Sequence, residues 1–303
     1  MEIKQEQELE LKRIRAMFTQ LAPTSGSFAD RRERWEALYT EFCPTADEIS
    51  IETIPSDGPS GEWVCAPNAK QASDHAVLYI HGGGFTAGTA TAYRGLAAQL
   101  SCVTGRPTLN INYRLAPEYP YPAALDDCFS VYKWLTKNKG ISTENVVLVG
   151  DSAGGNLVAA LLIRLRDEGH SLPGAAVCLS PVFDLSLSGD SITTRAERDP
   201  CISLTSLKKC ARAYLDQADP QSPLASPLYA NLRGLPPLLI QVGSDEMLRD
   251  DGYRLAQKAA AAGVDVTFEE WPNMFHVWHL FAERLRDSRK ALKTIGEFVR
   301  ARE

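Results

Sequence analysis

Ten consecutive residues, Val146-Val147-Leu148-Val149-Gly150-Asp151-Ser152-Ala153-Gly154-Gly155, constrain this chain more than any other stretch. The run Val146 to Val149 is apolar without alternation, the pattern of a strand covered on both faces in a parallel sheet. It leads straight into Gly-x-Ser-x-Gly and then into a helical segment with Val158, Leu161, Leu162 and Leu165 on one side. Positions 150 and 154 need small residues, because a turn this tight leaves no room for a Cβ at either flank. Such a turn holds its serine in strained backbone geometry with the hydroxyl at a helix N-terminus. Alone, the pentapeptide is a weak signal; between a buried strand and a helix it marks Ser152 as a nucleophile.

The rest of the chain supplies a matching frame. From about residue 48, short β-rich runs alternate with helical ones. Strands are expected near Ile49–Ile54, Glu62–Ala66, Ala76–Ile80, Thr108–Asn112, Val146–Val149, Ala175–Leu179, Leu238–Val242 and Val264–Glu270. Alternating strand and helix predicts an α/β fold with a mostly parallel eight-stranded sheet flanked by helices. Two amphipathic helices come first, with stripes Ile14, Met17, Phe18, Leu21 and Trp35, Leu38, Tyr39, Phe42, broken at Pro23-Thr24-Ser25-Gly26. Residues 1–45 are therefore expected to form a helical cap, joined by a strandless insertion at about 185–219, over a catalytic domain of residues 46–303. Phe18, Phe28, Trp35 and Tyr39 either narrow an apolar entrance beneath the cap or form the packed undersides of its helices, the reading preferred here.

A serine nucleophile needs a base, and the base needs an orienting acid. In the order strand–serine, acid, histidine, the base is His276, in the loop Pro272-Asn273-Met274-Phe275-His276 after the last expected strand. His279 starts to fall within the next helix, and His170 lies in a polar turn, so both are set behind it. Strand Leu238–Val242 passes through Gly243 and Ser244 to Asp245, the preferred acid; Glu246, Asp250, Asp251 and Asp184 are its rivals. Oxyanion donors are expected from His81-Gly82-Gly83-Gly84-Phe85, directly after strand 76–80, where glycines let backbone N–H groups turn inward. Gly83 and Gly84, with the N–H of Ala153, complete that hole. Chemistry of this type needs no metal or cofactor.

A net charge of −6, with no cluster of Lys and Arg, argues against a nucleic-acid partner. Seven cysteines at scattered, unpaired spacings suit buried or incidental thiols in a reducing compartment. No stretch approaches the ~20 apolar residues of a membrane span, and the charged N-terminus is unlike a signal peptide. A cytoplasmic protein is expected.

These pieces resemble the bacterial esterases of the hormone-sensitive lipase family, within the α/β-hydrolase fold. The resemblance runs through His81–Phe85, Tyr113-Arg114-Leu115-Ala116-Pro117-Glu118, Pro122–Asp127, Gly150–Gly155 and Ser244–Asp251, in the family's order. It implies a Ser152, Asp245, His276 triad, an oxyanion hole of Gly83, Gly84 and Ala153, and a small-molecule substrate that is a short-chain acyl ester. Where the family often carries His-Gly-Phe, this chain has His276-Val277-Trp278, a change in the local wall. An amidase or deacetylase on small decorated molecules is the alternative enzyme. A receptor of the same fold, which would lack the histidine, is the alternative outside catalysis. The resemblance also suggests a homodimer through the edge strand around 264–270, where Val264, Val266 and Phe268 alternate with polar residues.

Overall fold

The computed structural model describes residues 2–21, 26–56, 58–69 and 74–302, and in the first helix the side chains of residues 7–18. Pro23, Thr24 and Ser25 of the expected helix break, and the Leu21 side chain, lie outside the described residues.

Two helices open the chain, α1 (Glu2–Leu21) and α2 (Phe28–Phe42). Ser27 starts α2 with a reciprocal cap: its hydroxyl accepts the N–H of Asp30, whose carboxylate accepts the N–H of Ser27. Ile14, Tyr39 and Phe42 are buried, and Met17, Phe18, Trp35 and Leu38 pack against the same cluster, so both predicted stripes face inward. Phe18 meets Phe42, Phe275 and Phe281, while Tyr39 lies 4.3 Å from Tyr93, ring to ring. These aromatics are the packed undersides of the helices.

The sheet then assembles as β1 (Ser50–Thr53), β2 (Gly61–Cys65), β3 (Ala76–Ile80), β4 (Thr108–Ile111), β5 (Val146–Asp151), β6 (Ala175–Leu179), β7 (Leu238–Gly243) and β8 (Val266–Trp271). Their order across the sheet is β1-β2-β4-β3-β5-β6-β7-β8. The first two pairings are antiparallel and the rest parallel. Helices cover both faces, and the period-2 geometry of the strands sorts residues between two cores. Leu78, Ile80 and Leu148 join the cluster beneath α4 (Ala123–Lys133) and α5 (Ala153–Asp167); Val77, Tyr79 and Val149 join the one containing α3 (Arg94–Thr104) and α9 (Arg286–Arg300). Each fully buried Leu or Ile contributes about 2–3 kcal/mol by leaving water, and β5 is buried at every residue. It is thus a firm base for the turn that follows it.

Between β6 and β7 the chain leaves the sheet for α6 (Ser191–Thr194) and α7 (Leu204–Leu215), and α8 (Arg249–Ala261) returns between β7 and β8. This insertion touches the N-terminal helices. The Arg15 guanidinium donates to the Arg198 carbonyl, Arg31 Nη1 donates to Ser206 Oγ at 3.2 Å, and Lys209 Nζ to the Gly26 carbonyl at 2.7 Å. The two family-like segments outside the site prove structural: Arg114 forks onto Asp127, and Glu118 pairs with Arg32 of α2. β8 is the edge of the sheet and is half-buried along most of its length. All seven cysteines are free thiols. No helix among the described residues is long and apolar enough to cross a membrane.

Candidate active site

β5 ends and α5 begins within two residues, and Ser152 between them takes φ 51° and ψ −115°. A side chain disfavours this region, so the turn holds strain that its neighbours must fix. They do so by contact. A Cβ at Gly150 would lie 2.4 Å from the Gly154 carbonyl oxygen, and one at Gly154 would lie 1.9 Å from that of Ile80. The requirement for small residues at both flanks is therefore physical. Ser152 N–H donates to the Leu179 carbonyl at 2.8 Å, tying the turn to β6.

His276 Nε2 stands 2.9 Å from Ser152 Oγ. Its other nitrogen, Nδ1, faces the Glu246 carboxylate, with Oε2 at 3.6 Å. Neither of these two atoms has a hydrogen-bond partner among the described residues. The separation exceeds a hydrogen bond. Glu246 is fully buried, and its Oε1 accepts from Ser180 Oγ at 2.5 Å and from Gly243 N–H at 2.7 Å.

Asp245, the acid preferred from sequence, is not beside the histidine. Its carboxylate pairs with Arg15 of α1 at 2.6 Å. The reason is local. The Asp245 N–H donates to the Met274 carbonyl and the Glu246 N–H to that of Gly243, so the chain curls as it leaves β7. This directs the first side chain outward and the second inward. The extra methylene of Glu246 then lets it reach both its own loop and His276. Among the other rivals, Asp251 accepts the N–H groups of Phe183 and Asp184, Asp250 that of Ser191, and Asp184 is engaged by Ser186 and Ser188. His279 is buried against Gln241, its Nε2 2.9 Å from Oε1, and burial pushes its pKa down to about 3. His170 is half-buried beside Glu168 and Phe129.

Burial by itself would lower the pKa of His276. The neighbouring Glu246 carboxylate, helped by Asp199 and Asp151, reverses this and holds it above the ordinary histidine value. Asp199 lies on the insertion, buried, and accepts the N–H groups of Cys201 and of Met247, the residue after Glu246. Burial raises its pKa to about 6, against the pull of His276. Sequence reasoning missed Asp199, Arg15 and Ser180, because nothing in their local pattern announces contact with a loop far along the chain. For Glu246 the signal was present: a second carboxylate directly after the first.

The glycine loop lies against the same turn. Gly83 and Gly84 take φ +97° and +63°. A Cβ at Gly83 would sit 2.1 Å from the Ala87 carbonyl oxygen, so only glycine fits. Asp151 anchors the loop by accepting Gly82 N–H at 2.9 Å and Tyr79 O–H at 2.6 Å. Tyr113 O–H donates to the carbonyl oxygens of His81 and Gly82. His81 itself is buried between the rings of Tyr93 and Tyr113, and burial drops its pKa to about 4, so it is a neutral strut. Among the described residues, the N–H groups of Gly83 and Gly84 have no acceptor. Ala153, the first residue of α5, adds an N–H from a helix N-terminus.

A sheet of this order with a strained serine turn after β5 defines the α/β-hydrolase class. The matching family model, described as alpha/beta hydrolase fold, covers residues 77–280. An acetyl-hydrolase of Streptomyces hygroscopicus is 44% identical over 91% of both chains. An esterase of Acinetobacter venetianus is 35% identical over 84% of both. The crystal structure of an esterase from the bacterial hormone-sensitive lipase family superposes with a TM-score of 0.92 at 42% identity, covering 97% of this chain and 98% of the other. The chain belongs to the hormone-sensitive lipase family of α/β-hydrolases, and it is a carboxylic ester hydrolase.

Proposed function

We propose that the chain hydrolyses short-chain acyl esters through an acyl-enzyme on Ser152, with His276 as base and Glu246, in place of Asp245, as the orienting acid. The observation that carries this reading is the line Ser152 Oγ–His276 Nε2 at 2.9 Å and His276 Nδ1–Glu246 at 3.6 Å. Ser152 Oγ attacks the ester carbonyl while His276 takes its proton. The resulting imidazolium forms 3.6 Å from a buried carboxylate, which favours it. Gly83, Gly84 and Ala153 offer N–H groups to the oxyanion. Collapse of the tetrahedral species expels the alcohol, which leaves with the proton from His276. Water then enters by the same steps, and the acid is released from Ser152.

The helices α1 and α2 and the insertion around α7 serve as the cap. Support comes from the contacts that join them and from Cys210 of α7, whose Sγ lies 2.9 Å from where a Cβ on Gly84 would be. So close a wall beside the oxyanion loop favours small acyl groups, and the acetyl-hydrolase name of the Streptomyces relative agrees. Ser152→Ala is expected to reduce hydrolysis of para-nitrophenyl acetate to near background while leaving the thermal melt unchanged. A mutant with substantial activity, or a wild-type rate that rises with acyl length beyond about hexanoyl, counts against the proposal. The half-buried edge strand β8 is likewise proposed as the seam of a homodimer.

A further inference from the structure

Arg31, on the inner side of α2, stands next to the glycine loop. Its Nη2 lies 3.6 Å from where a Cβ on Gly84 would be, the same spot that Cys210 approaches from α7. The guanidinium rests on the Trp35 ring, 4.7 Å from its centroid. Its single hydrogen bond among the described residues is from Nη1 to the neutral hydroxyl of Ser206. The Nε atom is buried and has no acceptor among the described residues. No carboxylate among the described residues pairs with it. Its neighbours on these elements are matched differently: Arg32 forks onto Glu118, and Arg15 meets Asp245.

An arginine is always charged and carries five donors in a fixed fork. Withdrawing part of it from water with no anion opposite is costly, and native structures retain such groups where a ligand completes them. The buried carboxylates of the site, Glu246, Asp199 and Asp151, all act on His276. The cation is beside Gly84. Lys208, Lys209 and Arg212 of α7 line a separate groove of about 560 Å³.

We propose that Arg31 receives a carboxylate carried by the substrate, so that the preferred esters bear an anionic group a few atoms from the scissile carbonyl. This rests on the ester-hydrolase site proposed above. The planar fork suits bidentate binding of a carboxylate, which would use the unmatched Nε and fix the ester relative to the oxyanion loop. A chain of net charge −6 otherwise disfavours anions. A preference for them therefore has to come from a local device of this kind.

The test compares matched pairs with equal reach. On the acyl side these are para-nitrophenyl hemiglutarate and para-nitrophenyl valerate. On the alcohol side they are acetoxybutanoate and acetoxybutanamide, followed by acetate release. The wild-type enzyme is expected to favour the anionic member of at least one pair by about tenfold in kcat/KM, as one charge-assisted contact allows. Arg31→Met should remove most of that ratio, and Arg31→Lys, which keeps the charge and loses the fork, should retain part. Ratios at or below unity for both pairs in the wild-type enzyme overturn the proposal without any variant having to fold. So does a ratio unchanged in Arg31→Lys and Arg31→Met. Absence of turnover on every ester of the panel instead overturns the esterase reading beneath it.

Discussion

Replacing Glu246 with glutamine keeps the side chain's shape and removes its charge, which isolates what the carboxylate does for His276. The two groups are 3.6 Å apart and nearly or fully buried. With an effective dielectric of ~20, unit charges at that separation interact by about 4–5 kcal/mol. In the proposed mechanism His276 is neutral before attack and cationic after it, so this energy enters at the transition state and not in the ground state. Glu246→Gln is thus expected to lower kcat by roughly 10³-fold with little change in KM. The glutamine oxygen can still accept from Ser180 and Gly243, so the melt should move little. Asp245→Asn removes the charge that faces Arg15, where both partners are partly exposed, and should cost less than about tenfold. Steady-state hydrolysis of para-nitrophenyl acetate by both variants, with melts as controls, decides the matter. An Asp245→Asn loss as large as that of Glu246→Gln, or a glutamine variant with a tenth of wild-type kcat, refutes the reasoning.

Other outcomes follow from the same geometry. In its proposed role as base His276 must be neutral, and its pKa is held above 6.5, so kcat/KM should fall with decreasing pH around a midpoint above that value. In Glu246→Gln, burial acts with less opposition and the midpoint should move to lower pH; a midpoint below 6.5 in the wild-type enzyme contradicts this. Gly83→Ala would set a methyl group 2.1 Å from the Ala87 carbonyl oxygen, displacing the loop, and should reduce kcat by at least about 10²-fold, as for a lost oxyanion donor. Activity near wild type would show that the loop does not hold the oxyanion. Sedimentation is expected to give a dimer that Phe268→Lys on β8 weakens, and a monomer at high concentration removes the edge strand from consideration.

Much of this was legible in the chain because it depends on short-range pattern. The strand–serine–helix turn declares itself through the run Val146 to Val149 and the two flanking glycines, whose close approaches of 2.4 and 1.9 Å permit nothing larger. The strands were found within a few residues, since burial on both faces leaves an apolar run. The structure sets Glu246, one residue after the expected Asp245, beside His276. A loop leaving a strand has no fixed side-chain period, and whether Asp245 or Glu246 turns inward depends on hydrogen bonds to the distant residues Met274 and Ser180. Asp199 and Arg31 were invisible for a related reason: an insertion and an N-terminal helix carry them, and only the folded chain brings them to the site.

The loop that bears His276 is pinned on both sides of the histidine. Before it, the Met274 carbonyl accepts from Asp245 N–H and the Asn273 N–H donates to Ser244 Oγ. After it, Val277 N–H donates to Ser180 Oγ, and His279 is held by Gln241, which also reaches Glu269, Ala291 and Thr294. The imidazole is therefore a suspended part with little freedom to swing. Its alignment with Ser152 is settled when β7, β8 and α9 pack, long before an ester arrives. The reorganisation that a mobile base would undergo at each turnover is thereby confined to folding, which happens once.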